Sequence, residues 1–312
     1  MALGLLLLAG AELFARLGLG LGDPPLVMED PACGYRFAPN QSVQRFGNAV
    51  SYDCDSVRAG EESSRCEGKN CCRVLAIGDS VLNGGSLTSD EDTAAGLLND
   101  LHFRSGGREL CFANLSAGSW APPQQLGYLK AYGTLNCELA MIVISSHDAL
   151  GRIEGDTPPF PTLKPWLALE ELTLRYMLGM RRHLWATTDG WKAGAVDLPE
   201  DVEHDSEPTA VSLWCLREMV ALFSQNGIPV AAVLWPTRSE CLVTSWNPEM
   251  ERIRGVFDES GVPSVDLLDE ISALPDFAST LYRDGIHPSR EGQRILSGAL
   301  LNAALISAKN LR

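Results

Sequence analysis

Apolar residues in this chain gather into short runs, separated by polar, turn-rich stretches and by longer segments of helical period. Val74 to Ile77, Leu110 to Leu115, Leu139 to Ile144, Ile228 to Trp235 and Val262 to Leu268 are such runs. They are too short for helices and predict five strands, the first, Val74 to Ile77, buried on both faces and the third, Leu139 to Ile144, buried as well. Between them, Ser89-Asp90-Glu91-Asp92 reads as the capped, acidic opening of a helix with Ala94, Leu97, Leu98 and Leu101 on its buried face. Further helices are expected over Pro122 to Tyr132, Ala210 to Gln225, Glu249 to Ser260 and Ser289 to Ala308, the second of these stopped by Asn226-Gly227. Strand and helix in alternation imply an α/β fold, a three-layer doubly wound sandwich around a mostly parallel five-stranded sheet.

The ends and one interior stretch break this alternation. Residues 1–22 are the most apolar part of the chain and predict a helix that serves as a membrane anchor or export signal, although Glu12 and Arg16 would be costly at a bilayer centre. Those two stand at i, i+4 and can pair. The alternative is an amphipathic helix packed on the domain. Residues 23–72 are a lead-in whose Pro24, Pro25, Pro31 and Pro39 exclude a long helix, with a polar loop at 60–70. The main domain, 73–312, carries an insertion at 151–207 with Pro158, Pro159, Pro161 and Pro165, a helical stretch, and an acidic loop at 197–207. Placed after the third strand, it suits a lid or a specificity wall. Trp166, Trp185 and Trp191 would stack on sugar rings or pack the insertion onto the core; His183 and His204 read as surface residues.

Composition narrows the partners. At 312 residues, 45% apolar and 21% charged, the chain is long enough for a substantial core. A formal net charge of -15 argues against nucleic acid. Cys33, Cys54, Cys66, Cys71 and Cys72 crowd ahead of the first strand and would suit loop-stapling disulfides. Cys111, Cys137 and Cys215 sit in apolar settings as small core residues. A zinc site at Cys66, Cys71 and Cys72 lacks the paired spacing of common structural sites. No GxSxG elbow, Walker A loop or HExxH occurs, and nothing requires a metal or an organic cofactor.

Candidate chemistry begins where the first strand breaks at Gly78-Asp79-Ser80. A glycine there permits a sharp turn and a close approach to a ligand, and Ser80 falls at the carboxyl edge of the sheet, where such folds bind ligands. Some two hundred residues later, Asp284 and His287 stand three apart in one turn. A serine hydroxyl needs a base, and the base needs a carboxylate to hold its tautomer; His287 and Asp284 supply both.

These blocks resemble the SGNH (GDSL) hydrolase family. Gly78-Asp79-Ser80-Val81 matches its first block and Asp284-Gly285-Ile286-His287-Pro288 its last. The second falls on Asn114 to Trp120, with Gly118 as its glycine. The third, usually GxND, falls on Ser145-Ser146-His147-Asp148, where Ser145 replaces the glycine and His147 the asparagine. The likeness spans Arg73 to Gly151 and Ile228 to Leu301, and Asp23 to Gln41 is similar to the segment joining a membrane anchor to the domain in bacterial members. It implies a flavodoxin-like fold placed outside the cytoplasm, and a serine esterase acting on small-molecule or carbohydrate esters. Ser80, Asp284 and His287 would then be catalytic, with an oxyanion hole from the backbone N–H groups of Ser80 and Gly118 and a donor on His147. His147 has a second interpretation, as a histidine behind the site partnered by Asp148. Two other functions fit the same blocks: O-acyl transfer to envelope polysaccharide, and non-catalytic carbohydrate binding.

Overall fold

The computed structural model describes residues 2–58, 71–151, 160–177 and 208–308. The polar loop at 60–70, Cys66, Pro158, Pro159, His183, Trp185, Trp191, His204 and the acidic loop at 197–207 lie outside the described residues. The chain opens with helix α1 (Ala2–Leu17) and two antiparallel hairpins, β1 (Val27–Asp30) with β2 (Gly34–Phe37), and β3 (Gln41–Arg45) with β4 (Asn48–Tyr52). The lead-in is therefore folded. Its prolines rule out helix but leave β-structure open, and Val27, Tyr35, Phe37, Val50 and Tyr52 bury their side chains on the main sheet's core.

Strand β5 (Cys71–Gly78) leads into the short helix α2 (Ser80–Asn83), then α3 (Ala94–Asp100), the edge strand β6 (Arg104–Ser105), β7 (Arg108–Ser116), α4 (Pro122–Tyr132), β8 (Leu139–Ile144) and α5 (Ala168–Glu171). After the insertion come α6 (Pro208–Gln225), β9 (Val230–Leu234), α7 (Arg238–Val243), α8 (Pro248–Glu259), β10 (Ser264–Asp266), α9 (Leu268–Ser272), α10 (Phe277–Thr280) and α11 (Arg290–Ala308). The sheet has six strands in the order β10-β9-β8-β5-β7-β6, five of them parallel and only the two-residue β6 antiparallel. Among the parallel strands this is the 2-1-3-4-5 winding, whose direction reverses between β5 and β8.

Each central strand is apolar on both faces because each face has its own helical layer. Leu75 and Ile77 of β5 and Ile142 and Ile144 of β8 pack with residues of α4, α6 and α8. Val74, Ala76, Met141 and Val143 pack on the other side against α3 and α11. Burying one such aliphatic side chain stabilises the fold by about 1.5–3 kcal/mol.

Three local expectations change. Ser89 does not cap the helix after Ser80; Asp90–Asp92 form a single 3₁₀ turn, and Thr93 caps α3 by accepting the Gly96 N–H at 3.1 Å. Asp90 is drawn inward to pair with Arg58 at 2.9 Å, and Leu101, past the helix end, is 63% exposed. Among the cysteines expected to form disulfides, Cys33, Cys54 and Cys72 are free thiols. Finally, α1 has 16 residues, and no helix among the described residues is long and apolar enough to cross a membrane. Glu12 and Arg16, the residues out of place in a bilayer, dock α1: the Glu12 carboxylate accepts Ala168 and Leu169 N–H groups, and Arg16 donates to the Trp166 carbonyl.

Candidate active site

The reversal point of the winding opens a crevice at the carboxyl ends of β5 and β8. Ser80 starts α2 directly after β5, and Asp79 caps it, its Oδ1 accepting the Val81 N–H at 2.9 Å. Gly78 itself stays within the strand; what it provides is clearance, since a Cβ there would lie 3.0 Å from Leu82 and 3.1 Å from the Val143 carbonyl. The sharp turn comes later, at Gly84 and Gly85, with φ of 76° and 61°.

His287 arrives from the opposite end of the chain on a loop tightly held by its neighbours. Trp235 Nε1 donates to the Ile286 carbonyl at 3.0 Å, the Tyr282 hydroxyl to the Pro236 carbonyl at 2.7 Å, and the Arg238 N–H to the Gly285 carbonyl at 2.8 Å. On that loop His287 Nε2 lies 2.9 Å from Ser80 Oγ, and His287 Nδ1 lies 2.7 Å from Asp284 Oδ2. Asp284 Oδ1 accepts the N–H groups of Ile286 and His287, both at 2.9 Å. Partial burial pushes the Asp284 carboxyl up, but these hydrogen bonds and the imidazole outweigh it and hold it at about 2. A hydroxyl, an imidazole and an ionised carboxylate thus form one hydrogen-bonded line, the arrangement in which a base can take a proton from a nucleophile.

No family model matches the sequence, and no curated protein is matched either. Solved structures do align. A lipase/acylhydrolase from Enterococcus faecalis aligns at 13% identity and a TM-score of 0.43, over 76% of this chain and 96% of that one. The esterase EstA from Pseudoalteromonas sp. aligns at 11% and 0.43, over 74% and 96%, and a member of the lipolytic protein G-D-S-L family from Veillonella parvula at 10% and 0.42, over 74% and 97%. The similarity is to lipolytic proteins. With these TM-scores below 0.5, the chemistry of the site is drawn from its own geometry.

Gly118 follows β7, and the Phe160 ring packs over it so closely that a Cβ would come within 2.6 Å of the ring. The backbone N–H groups of Ser80 and Gly118 donate to no acceptor among the described residues. His147, in the short turn after β8, directs its ring at Asp79, with Nε2 2.9 Å from Asp79 Oδ2 and 3.9 Å from Asp148 Oδ1. Burial pulls His147 down, but Asp148 and Asp79 overcome it and raise the imidazole to about 9. Burial raises Asp148 to about 7, with its Oδ2 accepting the Ser145 N–H at 2.7 Å. His147 is thus protonated at neutral pH and donates Nε2–H to Asp79. The hydrogen-bond partner of His147 is thus Asp79, with the expected partner Asp148 farther off. Asp79, His147 and Asp148 have ligand atoms within 4.8 Å of one another, so a divalent cation would compete there with protons.

A cleft of about 320 Å³ opens over Ser80 and His287, lined also by Gly84, Gly85, Ser86, Leu87, Phe160, Arg283 and Asp284. Among the described residues of the 151–207 insertion, Phe160 reaches it; Trp166 is 91% exposed and does not pack on the core. Sequence inspection missed Arg58, Asn83, Phe160 and Arg283. Arg58, 3% exposed, donates to the carbonyls of Asn83, Gly85 and Thr88 while paired with Asp90, and so clamps the cleft's floor from the lead-in. In the sequence Arg58 is one arginine among acidic neighbours, Asp53, Asp55, Glu61 and Glu62, and nothing there points to the cleft.

Proposed function

We propose that the protein is a serine esterase of the SGNH type, hydrolysing small carboxylic esters through an acyl-enzyme on Ser80. His287 accepts the Ser80 proton as Oγ attacks the ester carbonyl, and returns it to the leaving alcohol; water then repeats the cycle on the acyl group. Asp284 holds His287 with Nδ1 as donor and balances the imidazolium. The oxyanion goes to the backbone N–H groups of Ser80 and Gly118, each such donor being worth about 3 kcal/mol of barrier. His147, bound to Asp79, fixes the residue that caps α2 rather than reaching the oxyanion directly. The observation carrying this reading is the unbroken line from Ser80 Oγ to His287 to Asp284 at 2.9 and 2.7 Å. Labelling by a fluorophosphonate probe, abolished in Ser80→Ala, tests it; an unlabelled wild-type protein would leave only a binding role. Acyl transfer to a sugar hydroxyl would use the same acyl-enzyme and is separated from hydrolysis by product analysis with and without acceptor.

We propose further that the outer face of α1 meets lipid, with the domain outside the cytoplasm. Leu3, Leu5, Leu6, Leu7, Leu8, Leu13, Phe14 and Leu17 are 58–78% exposed, an apolar surface that suits a membrane interface. Flotation with phosphatidylcholine vesicles should carry the protein, and Leu5→Ser/Leu6→Ser should abolish flotation; a wild-type protein left at the bottom of the gradient would refute it.

A further inference from the structure

The cleft over Ser80 holds a cation that the protein leaves almost without partners. Arg283 lines that cleft beside Gly84, Gly85, Leu87 and Phe160. Its Nη2 donates to the Gly84 carbonyl at 3.0 Å, while its Nε is buried and has no hydrogen-bond partner. Among the described residues no carboxylate stands within ion-pair distance of it. The adjacent Asp284 has both oxygens engaged by the His287 loop. The nearby Arg58 adds a second positive charge, and the carboxylate that pairs with Arg58 is Asp90. Burial pulls the Arg283 guanidinium below its ordinary range, Asp284 opposes this, and Arg58 adds to it.

A guanidinium offers five N–H donors in a planar fork suited to carboxylate and phosphate. Holding Gly84 uses one of them, a task that a neutral amide or an ammonium would perform as well. Leaving the buried Nε unmatched is costly unless something arrives to meet the guanidinium. Leu87 and Phe160 line the same cleft with apolar surface, so it offers one charged partner and an apolar wall within reach of the nucleophile.

We infer that the substrate is an ester bearing an anionic group, a carboxylate or a phosphate, which docks on Arg283 while its apolar part lies along Leu87 and Phe160. This rests on the serine-esterase reading and names the substrate class for the same site. The anion sits on the acyl or the alcohol side of the ester, and two matched substrate pairs separate these. One pair is 4-nitrophenyl hemisuccinate against 4-nitrophenyl butyrate; the other is 3-acetoxybenzoate against its methyl ester. In at least one pair the wild-type kcat/KM should favour the anionic ester about tenfold or more. Arg283→Gln should bring that ratio down about tenfold or more, and Arg283→Lys, a point charge without the fork, should keep part of it. On the wild-type protein, benzoate and phenylphosphonate should inhibit neutral-ester turnover competitively, at least about fivefold more strongly than benzamide. A wild-type ratio of one or less in both pairs, a ratio that Arg283→Gln leaves unmoved, or benzamide competing as well as the anions would overturn the inference. Those outcomes, with Ser80-dependent turnover of the neutral esters intact, leave the esterase standing; loss of all Ser80-dependent turnover removes both.

Discussion

At Ser80 and its neighbours, two carboxylates of like chemistry are driven in opposite directions by their surroundings. Asp284 sits among donors and stays ionised down to about 2, whereas Asp148 is buried and raised to about 7. Asp284→Asn should lower kcat by roughly 10²–10⁴-fold, because an amide cannot hold His287 in the donor tautomer or balance its charge; single-turnover acylation rates check this. The depressed Asp284 contributes to stability above the ordinary carboxylate pKa and loses that contribution as pH falls towards 2. His147 and Asp148 have the reverse sign. Both His147, at about 9, and Asp148, at about 7, bind protons in the folded state over a pH range where the unfolded chain has released them. Their contribution is complete below the unfolded pKa of each and is lost as pH rises through 7 and 9. The stability gap between wild type and His147→Asn, followed by urea denaturation, should therefore narrow from pH 6.5 to pH 9. A gap that stays constant over that range would refute this.

Among elements, the glycine loop after α2 is the part that only three dimensions explain. Its carbonyls lie off any strand ladder and need donors; Arg58 supplies three of them from the lead-in while Asn83 Nδ2 anchors to the Ser116 carbonyl at 2.9 Å. Replacing Arg58 by Met leaves Asp90, 7% exposed, without its partner. A loss of about 3–5 kcal/mol is expected, together with a drop in kcat/KM as the cleft floor loosens. Asp90→Asn in the same chain should recover part of the stability, and a double-mutant cycle in urea reads that coupling. This explains what was legible in the sequence. Strands β5, β7, β8 and β9 stood out because burial on both faces writes an apolar run, and Ser80, Asp284 and His287 because their chemistry confines them to short spacings. Arg58 pairs with Asp90 across 32 positions, and Arg283 meets Gly84 across 199; no local pattern marks either. The lead-in hairpins were hidden for a different reason: prolines mark what is excluded, and the short polar-faced strands carried no alternation long enough to notice.

Across the whole molecule, the lead-in and the described part of the insertion are joined by one buried ion pair. Arg45 and Glu171 have side chains 2% and 0% exposed, and Arg45 Nη1 lies 2.9 Å from Glu171 Oε2, which also accepts the Gly22 N–H at 2.7 Å. Around this pair converge β3, the segment after α1, and α5. From the same stretch of insertion comes Phe160, which covers Gly118 and walls the cleft, with Phe37 of the lead-in against it at 5.3 Å between ring centroids. Removing one charge of such a pair strands the other in a dry interior, whereas replacing both by apolar residues of similar size can cost little. Glu171→Gln should therefore destabilise by about 3–5 kcal/mol, and Arg45→Met/Glu171→Met should recover most of that loss in urea denaturation. If the pair's role at the site is to hold Phe160 in register, Glu171→Gln should also raise KM for an ester substrate while leaving fluorophosphonate labelling at saturation complete, since the Ser80–His287–Asp284 line is built on other elements. Equal losses in KM and in saturating labelling would instead place the pair's influence on the nucleophile itself.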